Sequence, residues 1–230
     1  MGFLSRLFRR ARPDAPPAPP AAPDQAEGAI DPALAEALDA FQGERHEQAF
    51  ALASRQLQAG ADAYRLCALS LSALGRHPEA FDYWLQLFER EPSAHNALQL
   101  ATISVMCGEP DRGEAWLAKF DQVNAQTREM SAALARGSFI SALEQAGYGQ
   151  RTLPHLEWLR EAYASLSITD SHFLYVRGLP FFDTFLERSL PLLHAQLPPA
   201  AIAPWYRAIH ARLDAEGQAM LDAHLARLPA

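Results

Sequence analysis

The sequence has one lysine, Lys119, and two cysteines, Cys67 and Cys107, far apart. No CxxC motif or Cys/His cluster has metal-ligand spacing, and none of the eight histidines pair at i, i+4, so a zinc site is not expected. No cofactor is expected either: there is no glycine-rich phosphate loop, no G-x-S-x-G elbow and no kinase signature. No run of eighteen apolar residues exists, which argues against a membrane-spanning helix. Arg6, Arg9 and Arg10 interrupt the first apolar stretch, so it does not read as a signal peptide. Arg6 also stands where myristoylation wants Ser or Thr. Few cysteines and no leader point to a reduced, cytoplasmic protein.

What is present is globular in composition: of 230 residues, 49% are hydrophobic and 20% charged, enough to bury a core. Charge is unevenly spread. Residues 1–12 hold four arginines and no acid, while the remainder carries 16 basic against 27 acidic residues. An acidic body is a poor partner for phosphate backbones, so nucleic acid is not expected. The abundance of Ala and Arg over Lys suggests a bacterial source.

Residues 1–12 form a short basic amphipathic segment. Phe3, Leu4, Leu7 and Phe8 recur at helical spacing, with Arg6, Arg9 and Arg10 beside them. Such a segment suits peripheral contact with an anionic membrane, which here would be the cytoplasmic face of an inner membrane. Residues 13–28 carry six prolines and read as an extended spacer.

From residue 29 onward the pattern is helical, and an all-α fold is expected. Asp31-Pro32 is a helix-start signal. Glycines at 43, 75 and 108 punctuate the pattern at intervals of 32 and 33 residues, which is the signature of a helical-hairpin repeat. Helices are expected over 46–58, 61–74, 77–90, 94–107 and 111–122. Further on they are expected over 126–146, 153–166, 181–195, 200–213 and 215–227. Residues 168–182, with Phe173, Leu174, Tyr175 and Val176, read as a short strand or buried turn. The four tryptophans, Trp84, Trp116, Trp158 and Trp205, read as core.

Residues 61–94 resemble a tetratricopeptide (TPR) repeat. Tyr64 takes the first aromatic slot, Cys67 and Ala68 the Leu-Gly places, and Leu71 the Tyr place. Ala80 takes the small-residue slot, Trp84 the Phe slot, and Pro92 closes the unit. Weaker units lie on either side: Leu34, Ala37, Leu38, Phe41, Ala49 and Ala53 upstream, and Leu98, Ala101, Thr102, Val105, Gly113 and Leu117 downstream. The resemblance covers residues 29–122 and implies an array of α-α hairpins (an α-solenoid), with residues 123–230 as a C-terminal helical extension or domain.

By slot, the resemblance implies a protein-binding groove lined by Asp62, Arg65, Leu69, Ser72, Asn96, Gln99, Ile103 and Met106. Leu69 stands where the family's chaperone-tail clamp has an asparagine, so that particular function is not implied. The expected role is a non-catalytic adaptor or chaperone that binds another protein. One alternative is an immunity or antitoxin-like inhibitor of a basic toxin, which the acidic body would suit. Another is an enzyme with its site in residues 150–230, for which Asp170 and His172 are the nearest thing to a catalytic pair. Both are better read as a cap and a half-exposed side chain.

Overall fold

The computed structural model describes residues 34–228, so the basic segment, the spacer and the Asp31-Pro32 start lie outside the described residues. The described chain is all-α, with twelve helices packed in neighbouring pairs and no strand among the described residues. It divides into two compact units between Tyr83 and Trp84, inside one helix; the boundary expected at 122/123 falls within the second unit.

In the first unit, α1 (Ala35–Gln42) packs on α2 (His46–Ala53), and α2 on α3 (Ala61–Ala73). The next helix, α4 (His77–Arg90), begins here and crosses the boundary. The core gathers Leu34, Ala37, Ala53, Leu66 and Cys67, with Phe41 and Phe50 against it. The helix expected over 46–58 is shorter: α2 stops at Ala53, and a 3-10 stretch follows over Ser54–Ala59, where Gln56 leaves helical geometry (φ −117°, ψ 27°).

The turns between helices repeat one closure. The residue after the helix adopts left-handed geometry, and the next amide bonds to the carbonyl five residues back, which satisfies end carbonyls that would otherwise go unpaired. It occurs as Arg76 N to Leu71 O (2.9 Å) around Gly75, and as Glu109 N to Ser104 O (3.0 Å) around Gly108. Tyr148 N to Leu143 O (2.7 Å) closes another, around Gly147. At the first turn the left-handed residue is Glu44 (φ 59°), not the expected Gly43 (φ −81°); Arg45 N closes it on Ala40 O at 2.9 Å.

In the second unit, α5 (Ala94–Met106) and α6 (Pro110–Thr127) form the tightest hairpin, and α7 (Ala132–Gln145) packs on α5. Val105, Leu117, Phe120, Phe139 and Leu143 form their core. Gly113 lets the pair approach: a Cβ there would lie 2.6 Å from Val105 Cγ2 and 3.0 Å from the Ala101 carbonyl oxygen. The helix expected over 126–146 is broken. Arg128 turns left-handed (φ 53°), and the Asn124 side chain clasps both backbone groups of Met130. The Glu129 carboxylate reaches back to cap α5, accepting from the amides of Ala94 (2.8 Å) and His95 (3.3 Å).

The chain continues through α8 (Leu153–Leu166), α9 (Ser171–Arg177), α10 (Phe182–His194), α11 (Pro199–Arg207) and α12 (Ala215–Leu225). They enclose a second core around Tyr163, Phe182, Phe185, Trp205 and Tyr206. Residues 171–177 are a helix rather than a strand or buried turn. Asp170 caps it, accepting from Phe173 N at 2.8 Å, and Gly178 (φ 67°) ends it. The helix expected over 200–213 ends at Arg207, with a 3-10 turn at His210–Arg212.

Candidate functional site: an apolar groove on α8

All six large apolar side chains that are exposed among the described residues fall between 134 and 181: Leu134, Trp158, Ile168, Tyr175, Val176 and Phe181. Tyr175 and Val176 are the extremes, at 73% and 68% exposure. This part of the chain is therefore the place to look for a contact surface.

Of the six, Trp158 lines an open groove of about 550 Å³. One wall is a face of α8, where Trp158, Glu161, Ala162, Ser165 and Leu166 recur at helical spacing. Small side chains make the floor: Ala132 and Ala133 from the start of α7, Ala162 and Ser165 from α8. Leu179 and Arg177 close one side, and Arg212 reaches the rim from the 3-10 turn.

Ser131 holds the α7 edge of the groove. Its hydroxyl accepts from the amides of Ala133 (3.2 Å) and Leu134 (3.3 Å), capping α7, and donates to the Gly178 carbonyl (3.0 Å). A Cβ on Gly178 would sit 2.5 Å from Ser131 Cβ, so only glycine lets the end of α9 lie this close.

The rim is arginine-rich. Arg212 pairs with Glu161 at 2.8 Å and Arg160 meets the same carboxylate at 3.4 Å; the Arg212 hydrogen bond holds Glu161 below the usual carboxylate range. Arg160 also donates to the Trp205 carbonyl (3.0 Å) and lies over the Trp205 ring. Arg136 lies over the Trp158 ring and pairs with Asp121. Arg177 stacks on Phe173 and has no carboxylate partner among the described residues.

The groove residues expected from the repeat resemblance are placed as follows. In the first unit Leu69 is buried, Asp62 pairs with Arg65, and Ser72 donates to the Ala68 carbonyl. In the second, Asn96 and Ile103 are buried, and Asn96 donates its side-chain amide to the Glu91 carbonyl (2.9 Å). Gln99 meets His95 at 3.4 Å, and Met106 is half-buried. Asp170 is a helix cap and His172 is exposed. No metal-binding group of His, Cys, Asp and Glu occurs among the described residues. Burial pushes the Cys67 thiol up to about 12, far from a reactive thiolate.

Of the tryptophans, Trp84 and Trp205 are buried as expected, but Trp158 is 38% exposed and belongs to the groove wall. Trp158 lies off the Leu156, Leu159, Tyr163 and Leu166 stripe that reads as core in this helix, while Leu166 serves both the core and the groove. No helix is long and apolar enough to cross a membrane among the described residues. No protein-family model matches the chain, and no curated protein matches it in sequence.

Proposed function

We propose that this protein is a non-catalytic binding module of TPR-like helical hairpins that holds a segment of a partner protein. The observation that carries the reading is the α8 groove, with its small side chains and the exposed Trp158 in its lining. Its lining offers no His, Cys, Asp or Lys, and its one carboxylate is bound by two arginines, which suits docking better than proton transfer. The TPR character is supported by the shared turn closure and by the small-residue positions Ala49, Ala80 and Gly113, spaced 31 and 33 residues apart and all buried. Residues 1–28 serve in this reading as a membrane tether, separate from the docking surface.

The test is affinity capture from the source cell. The full chain is compared with Ser165→Trp, which fills the groove from an exposed position, and with a chain lacking residues 1–28. One dominant protein held by the full and shortened chains and lost with Ser165→Trp is the expected result. Equal retention by Ser165→Trp removes the groove from the function.

A further inference from the structure

Resting on that reading, we propose that the groove selects an acidic partner segment: an apolar side chain seated between Trp158 and Leu166, with a carboxylate beside it meeting Arg177.

The argument is one of charge against background. The body beyond residue 12 carries 27 acidic and 16 basic residues, yet the lining holds two arginines and one carboxylate. That carboxylate, Glu161, and Arg212 compensate each other in an ion pair, which leaves Arg177 as the lining's excess charge. Arg177 lines the groove with its guanidinium over the Phe173 ring and no carboxylate partner among the described residues. A guanidinium beside apolar surface is well suited to gripping a carboxylate, because its planar fork bonds two oxygens at once. The groove thus carries a net positive charge beside apolar surface in an otherwise negative protein, and an acidic segment is held there at short range through Arg177.

Other occupants fit less well. The protein's own residues 1–12 supply Phe3, Leu4, Leu7 and Phe8 but bring four arginines, the wrong sign for this rim. The groove is open to solvent, which leaves a small molecule poorly covered, whereas a chain crossing it can lay several side chains along it. An anionic membrane matches the arginines as well, and vesicle capture distinguishes it from a peptide.

The experiment selects from a random peptide library displayed on phage, using the full chain as bait. Enriched peptides are then titrated by fluorescence anisotropy against the native chain, Ser165→Trp and Arg177→Glu. Both substituted positions are exposed, and unfolding midpoints check that the variants fold.

The expected result is enrichment of peptides carrying Asp or Glu beside Leu, Phe or Trp. Binding falls at least about tenfold with Ser165→Trp and about five- to tenfold with Arg177→Glu, and the latter loss shrinks at high salt. The same peptides with Asn and Gln in place of Asp and Glu lose the Arg177 effect. Enriched peptides that are neutral or basic, yet still lost with Ser165→Trp, leave the groove as a protein-binding site and overturn the acidic preference. Peptides bound equally by Ser165→Trp, or no enrichment, overturn both readings. Capture on phosphatidylserine vesicles that Arg177→Glu abolishes, without peptide enrichment, assigns the surface to membrane instead.

Discussion

Two glycines inside helices should respond to the same substitution with opposite signs. Gly113 lies in α6 against α5, and Gly137 lies in α7. Replacing an interior helical glycine by alanine stabilises by about 1 kcal/mol when the site has room, through lower backbone entropy in the unfolded chain. Gly137 has room, since a Cβ there meets nothing within 4 Å. At Gly113 the new methyl meets Val105 Cγ2 at 2.6 Å, the Ala101 carbonyl oxygen at 3.0 Å and Phe139 Cε2 at 3.2 Å. The Val105 methyl can turn aside, but the backbone carbonyl moves only with α5 itself. Overpacking of this kind costs about 1–3 kcal/mol, which exceeds the propensity gain. Gly113→Ala should therefore destabilise by up to about 2 kcal/mol net, while Gly137→Ala stabilises by up to about 1 kcal/mol. Urea unfolding followed by far-UV circular dichroism reads both. Adding Val105→Ala to Gly113→Ala relieves one contact and leaves the carbonyl contact, so the pair should be coupled rather than additive. A Gly113→Ala midpoint at or above that of the native chain would refute the close-approach argument.

Glu44 holds a left-handed conformation that disfavours a Cβ, so Glu44→Gly should raise stability by about 1 kcal/mol in the same unfolding assay. Asp214 accepts from Thr169 N (2.9 Å), Thr169 Oγ1 (2.6 Å) and Gly217 N (2.9 Å), capping α12 and satisfying a buried threonine. Asp214→Ala should cost about 2–4 kcal/mol in unfolding free energy, with Asp214→Asn recovering part of it. Burial lowers the pKa of His155, an effect its hydrogen bond to Glu114 (2.9 Å) only partly offsets; burial lowers that of His224 too. A histidine whose pKa falls on folding lets the unfolded chain take the proton first. This contribution is thus fully present above about pH 6.5 and lost as pH falls below it. Urea midpoints taken from neutral pH downward should decline from that point, and His155→Gln should flatten the decline.

The helical hairpins were legible because the glycines that end the helices sit where the backbone must turn left-handed, as Gly75 and Gly108 do. The small positions Ala49, Ala80 and Gly113 were legible by their spacing and are all buried. The turn at Glu44 was not, since a glutamate at positive φ leaves no trace in composition. The break after Thr127 was hidden for another reason: what stabilises it is Glu129 capping a helix 34 and 35 residues earlier in the chain, and local pattern does not report that. Phe173, Leu174, Tyr175 and Val176 favour strands by propensity, yet a cap at Asp170 and a stop at Gly178 made a short helix of them. The groove went unread because its parts are scattered. α8 gives one wall, while Arg177 and Arg212 arrive from elements that are neighbours only after folding.

The Ser131 hydroxyl makes three hydrogen bonds at once, so its two tasks are coupled. Its O–H donates to the Gly178 carbonyl while its lone pairs accept from Ala133 and Leu134, so one oxygen ties the end of α9 to the first turn of α7. Ser131→Ala should loosen both places together. The amides of Ala133 and Leu134 should then exchange with deuterium faster in the variant than in the native chain. Those two protons report on this corner of the groove without a label on the protein.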